Sequence, residues 1–225
     1  MKNGGGRSAR KGRDGSVKKS AVTRGRIIAA ARKVFSRHPY HTASVRMIGK
    51  EGGFNHELIR YHFPSKAGLF ECIIRDICDD VYRSNISFLD GTAGMAPERG
   101  LSIYLDRFLD YHYRQPDALR IIVMNMTVTD DPESIPGYRH IPDMLARTRL
   151  TFQEKIPLAA SGEDVERFLH SFNNLLIHLL GAGYCQANIL GMKHTGKKYR
   201  EWVKKTLLEI FLPHLVRLIG RGRTP

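Results

Sequence analysis

The stretch GGFNHELIRYHFPSKAGLF, residues 52–70, makes two demands on one segment. Leu58, Ile59, Phe63, Leu69 and Phe70 recur at the three- and four-residue spacing of a buried helical face. Between them stand His56, Arg60, Tyr61, His62 and Lys66, whose charges and donors suit a polyanion. A helix that only fills a core has no use for this second set. Asn55 predicts a cap for a helix running to about Phe63, Pro64 closes it, and Ser65 caps the next. Gly52 and Gly53 supply a turn that tolerates positive φ.

Upstream, Ile27, Ala31, Val34 and Phe35 mark one face of a first helix from about Thr23 to Ser36. The run RHPYHTA breaks it, and Ser44 caps a short second helix with Val45 and Ile48 inward. A longer helix, a short one, a glycine turn and a third helix are the parts of a helix-turn-helix, three helices that hold one of their number in a major groove. Asn55, His56 and Glu57 fall at the start of that third helix, and Arg60 and Tyr61 follow one turn later. Asn and Arg offer hydrogen bonds to base edges, and Glu accepts from cytosine. Which residue reads which base is left open.

Downstream, helical spacing continues, and alternating strand patterns are scarce, so the fold class expected is all-α. Helices are predicted over about 66–90, 97–114, 117–129 and 142–156, with the acidic DDPESIPG run (130–137) as a loop. Ser161 and Asp164 resemble a capping box that opens a long eighth helix, whose stripe runs from Val165 through Phe172 and Leu179 to Gly183. A ninth spans about 197–218.

The whole chain has 225 residues, a formal charge of +14 and a sequence pI near 9.9, which favours an anionic partner without choosing between nucleic acid, membrane surface and acidic ligand. Nine Lys or Arg through Arg26 face Asp14 alone. Residues 1–22 hold almost no bulky apolar group and are expected to form a disordered basic arm. Three cysteines, Cys72, Cys78 and Cys185, match neither a disulfide framework nor a zinc signature. No run approaches the roughly 18 apolar residues of a membrane span, and a reducing cytoplasm is the expected compartment. Among ten histidines there is no HExxH, and the chain lacks a paired CxxC, a Walker loop and a GxSxG elbow, so neither enzyme, metal site nor cofactor is expected.

Residues 23–70 resemble the Tet-repressor (TetR/AcrR) family of transcriptional regulators. Phe35, TASVRMIG (42–49), Gly53, IRYHFPSK (59–66) and Leu69 carry the resemblance in order and spacing. The chain departs from the family pattern at Gly49, where alanine is usual, at Phe54, where valine is usual, and at Arg60, where an aromatic is most common. Gly49 costs about 1 kcal/mol in helix propensity. The resemblance implies a helix-turn-helix DNA-binding domain over 23–68 and a helical ligand-binding and dimerisation domain over 69–225. It implies that Ser44 and Arg46 lie near the backbone and adjacent bases. His56, Glu57, Arg60 and Tyr61 would face the groove, and Tyr61, His62 and Lys66 would meet phosphates. It further implies a homodimer through the last two long helices, a double-stranded DNA operator and a small-molecule effector, with repression relieved by the effector. Apolar positions on those two helices are too broad for one buried stripe, which fits an interface. Tyr104, Phe108, Tyr111, His112, Met124, Phe172, Asn173 and His178 are candidate lining for the ligand chamber, Asn173 and His178 because a polar group on an apolar helix needs a partner. A basic helical adaptor for RNA or an anionic membrane is the alternative that the charge leaves open.

Overall fold

The computed structural model describes residues 8–126 and 129–220 of the chain. Among them are ten α-helices and no strand: α1 (Ser8–Phe35), α2 (Val45–Gly52), α3 (His56–His62), α4 (Lys66–Leu89), α5 (Pro97–Arg114), α6 (Pro116–Met126), α7 (His140–Lys155), α8 (Gly162–Gly181), α9 (Gly183–Ile189) and α10 (Lys197–Ile219), with a 3-10 turn at Pro132–Ser134. This is the all-α class expected from the periodicity.

The capping residues act as their chemistry predicts. Ser44 Oγ accepts from the Met47 amide at 3.2 Å, Asn55 Oδ1 from Leu58 at 2.8 Å, and Ser65 Oγ from Gly68 at 3.0 Å. Each satisfies an amide that the helix itself leaves unpaired, and such a cap is worth about 1 kcal/mol. Ser161 Oγ accepts from the Asp164 amide and donates to the Asp164 carboxylate at 2.8 Å, closing the box at the start of α8.

Helices α1 to α3 fold over the start of α4. Ile27, Ala31, Val34, Phe35, Ile48, Ile59, Phe63, Leu69 and Phe70 are buried together, with the rings of Phe35 and Phe70 edge to face at 4.7 Å. The long α4 then leaves this head and enters the larger body, where it packs on α5 and α7. The body is completed by α6 against α8 and by α10 against α5 and α8. Head and body also meet where α6 packs on α1.

Four boundaries differ from the expected ones. The first helix begins at Ser8, so residues 8–22, expected as a disordered arm, form its leading turns, and residues 1–7 of that arm lie outside the described residues. Lys, Arg and Ala sustain a helix, and extending one whose C-terminal half is already packed needs no new nucleus. The sixth helix ends at Met126, and the part of the expected helix at 127 and 128 lies outside the described residues. The seventh starts at His140 with Pro142 in its first turn, where a missing N–H leaves no bond unmade. The eighth stops at Gly181, and a separate short helix, α9, follows. A Cβ at Gly181 would stand 2.7 Å from the Leu119 carbonyl oxygen and 2.6 Å from Val123 Cγ2, so only glycine lets α6 and α8 cross this closely.

Candidate nucleic-acid interface and internal chamber

On α3 the apolar side of the quoted stretch turns inward and the polar side turns out. Ile59 is buried, whereas His56, Glu57, Arg60 and Tyr61 are exposed, Tyr61 to 78 %. Positions i, i+1, i+4 and i+5 share one helical face, so the four form a continuous polar ridge. Among the described residues the side chains of His56, Glu57 and Arg60 have no protein hydrogen-bond partner, and Tyr61 meets only the edge of His62 at 5.1 Å. Arg46 is exposed on the neighbouring α2. Ser44 and Asn55 spend their side chains as helix caps, and His62 is half-buried.

Lys66 is placed otherwise than the resemblance implies. Its Nζ donates to the carbonyls of Tyr40 at 2.8 Å and Ala43 at 2.9 Å and lies 4.3 Å from the centre of the Tyr40 ring. Two of its three N–H groups thus pin the loop between α1 and α2 to the start of α4, and partial burial lowers the pKa of the ammonium. The third N–H alone is left for a phosphate.

The glycines of the turn are explained by Phe54. Gly53 adopts φ 68°, and its amide and that of Phe54 both donate to the Gly49 carbonyl. A Cβ on Gly49 would lie 2.7 Å from the Phe54 carbonyl oxygen, and one on Gly52 would lie 2.2 Å from the Phe54 ring. The backbone of the tight turn thus requires glycine at 49, and the bulky Phe54 ring requires it at 52.

A second feature lies at the other end of α4. A cavity of about 650 Å³ is enclosed by the last turns of α4, the 91–96 loop, the start of α5, the end of α7, the first half of α8 and the end of α10. Tyr104, Phe172 and Asn173 line it, joined by Asn85, Phe152 and Phe168. The Tyr104 hydroxyl donates to Asn85 Oδ1 at 3.2 Å, and burial raises the tyrosine's pKa.

The other five expected lining residues lie elsewhere. Phe108 is core, with its ring 6.0 Å from Phe88. Tyr111 donates to Asp80 Oδ2 at 2.8 Å. Met124 is half-buried on α6, and exposed His178 pairs with Gln186 at 3.1 Å. His112 is 7 % exposed and its Nδ1 has no hydrogen-bond partner among the described residues. Burial, aided by His194 and opposed by Asp117, lowers its pKa to about 4. Aromatic residues at helical spacing do not reveal which of them meet a void, because the void depends on how five helix ends converge.

Sequence reasoning also passed over the joint between head and body. Asn125, buried on α6, accepts from the Tyr40 amide at 2.7 Å and donates to the Ile121 carbonyl. Arg32 of α1 pairs with Asp117 of α6 at 2.5 Å. The signal for the first was present as one amide in the apolar run RIIVMNM (120–126).

Residues 27–73 match the family of bacterial regulatory proteins described as the tetR family. No curated protein sequence matches the chain. A transcriptional regulator from Rhodococcus sp. Rha1 shares the fold with TM-score 0.62 at 17% identity, over 84% of this chain and 96% of that one. A tetR-family regulator from Streptomyces coelicolor gives TM-score 0.59 at 15% identity, over 88% and 87%. The FadR regulator of Bacillus subtilis, solved in complex with stearoyl-CoA, gives 0.61 at 11% identity, over 84% and 97%. No helix among the described residues is long and apolar enough to cross a membrane. Residues 27–73 thus form a DNA-binding head that matches the tetR family of bacterial regulatory proteins, on a chain whose described part shares the fold of such regulators.

Proposed function

We propose that the chain is a dimeric, ligand-responsive regulator that grips a palindromic operator through residues 23–68 and releases it when a small molecule fills the chamber in residues 69–225. The observation that carries the DNA part is the exposed ridge of His56, Glu57, Arg60 and Tyr61 on a helix whose caps and inner face are fully engaged. Groups left unpaired on a rigid, exposed helix are preorganised for an outside partner. The ridge, Arg46 and the third N–H of Lys66 supply base and phosphate contacts. Dimerisation is supported by α8 and α10, where Ile210, 48% exposed, shares a groove with Ser171 and His214. In a symmetric pair the two ridges enter successive major grooves roughly 34 to 36 Å apart, or somewhat more.

The test is selection of bound fragments from random DNA at about 150 mM salt, where nonspecific phosphate binding is weakened. Recovery of one palindrome is expected. Arg60→Ala and His56→Ala then lose about 1–3 kcal/mol of discrimination against changed bases while retaining most nonspecific affinity. Unrelated sequences from the selection, or equal losses on every DNA, would mean a basic helix without readout and would sink the proposal.

A further inference from the structure

Among the described residues the chamber carries no charge on its walls. Its polar groups are those of Asn85, Thr92, Tyr104, Thr148 and Asn173. Two of these are spent on their own helices, because Thr92 Oγ1 donates to the Leu89 carbonyl and Thr148 Oγ1 to the Met144 carbonyl. Several charged residues close to lining positions face elsewhere, and exposed Glu98 and Arg99, between Pro97 and Gly100, are not among the lining residues. Lys155, next to Ile156, pairs with Asp90, next to Leu89, at 2.5 Å. Arg107 donates to the carbonyls of Phe88 and Asp90 at the end of α4, and Arg217 faces the groove between α8 and α10. A carboxylate or ammonium drawn into this space would lose its hydration with no opposite charge to replace it, a penalty far larger than that for an uncharged oxygen.

Of the other three polar groups, Asn173 is half-buried on α8, while Asn85 and Tyr104 form a pair that can receive a guest. The Tyr104 hydroxyl donates to Asn85 Oδ1 and so fixes the amide, whose two N–H donors have no protein partner among the described residues. Asn85 is only 6% exposed, and it lines the chamber. The tyrosine oxygen keeps a lone pair for a donor. Together they match one hydroxyl, which accepts from Asn85 and donates to Tyr104, with the aromatic rings of Phe152, Phe168 and Phe172 receiving a hydrocarbon body.

We infer, building on the function proposed above, that the chamber takes an uncharged and largely hydrocarbon molecule whose single hydroxyl or carbonyl oxygen seats on the Asn85–Tyr104 pair. The chemistry differs from that of the stearoyl-CoA held by the Bacillus subtilis FadR, since no cation among the described lining residues receives a phosphate or a carboxylate.

The experiment uses the full chain with phenylnaphthylamine, a neutral fluorescent probe of apolar cavities, displaced at neutral pH by dodecanol, dodecanoate and dodecylammonium. These share one hydrocarbon chain and differ in the charge of the head. Dodecanol is expected to compete at about tenfold lower concentration than either ion, the difference of one uncompensated polar group or more. Asn85→Leu should weaken dodecanol about tenfold and leave the probe's own binding unchanged. Asn85→Asp, nearly isosteric, should bring dodecylammonium to or above dodecanol. Dodecanoate competing as well as dodecanol, dodecanol failing to compete, or a ranking indifferent to both substitutions overturns the assignment. Operator binding measured on the same samples keeps the two ideas apart. Release of DNA by dodecanoate, with dodecanoate the better competitor, refutes the ligand class and keeps the effector reading. The expected ranking without any change in DNA binding does the reverse.

Discussion

At Gly49 a methyl group would meet a carbonyl oxygen that the turn holds in place, because the Phe54 amide is bonded back to Gly49 at 2.9 Å. Gly49→Ala is therefore expected to destabilise the head by about 1–3 kcal/mol despite alanine's better helix propensity, read as a lowered urea midpoint. Propensity alone predicts the opposite sign, which makes the measurement decisive. His112 offers a second single-residue test. In the unfolded chain it protonates near its ordinary 6.5 and in the fold only near 4, so between those values the unfolded state holds the extra proton. Its contribution is complete above about 6.5 and falls by at most about 3 kcal/mol as pH drops to about 4. His112→Gln should flatten that part of the profile of urea midpoint against pH. An unchanged slope would mean that the ring is hydrated in solution.

Among the elements, the joint between α1, α6 and the loop after α1 rests on few contacts of high value. Asn125→Leu leaves the Tyr40 amide without its acceptor, an expected loss of about 1–3 kcal/mol, and amide hydrogen exchange at Tyr40 should accelerate. Exchange as slow as in the native chain would show that another acceptor takes over. This joint marks how far the sequence can be read. The caps at Ser44, Asn55, Ser65 and Ser161 were legible because a cap is a local bargain between one side chain and an amide two or three residues on. The outward face of α3 was legible for the same reason, since period alone assigns it. Asn125, Asp117 and Asn85 were not, because each is matched to a residue 19 to 85 positions away. The split of α8 from α9 was missed on similar grounds: Gly183 continues the stripe in sequence, and the need for glycine at 181 comes from the approach of α6.

For the whole molecule, the exposed Ile210 on α10 sits in the groove between α8 and α10, on the face proposed for the dimer. Ile210→Glu should yield monomers by sedimentation and weaken binding to a two-half-site operator much more than to a single half-site. Dimers of native stability would move the interface elsewhere. The arrangement along α4 has its own consequence. Its first turn is fixed to the reading head through Ser65 and Lys66, and its last turns, at Asn85 and Leu89, form one wall of the chamber. A straight helix of 24 residues is about 36 Å long. Pivoting near the chamber by only about 3° carries the far tip through about 2 Å, and two tips swinging apart in a symmetric pair open by about 4 Å. That exceeds the rise of about 3.4 Å between neighbouring bases. In the dimer proposed above, a tilt of α4 by only about 3° would thereby change the spacing of the two heads by more than one base step.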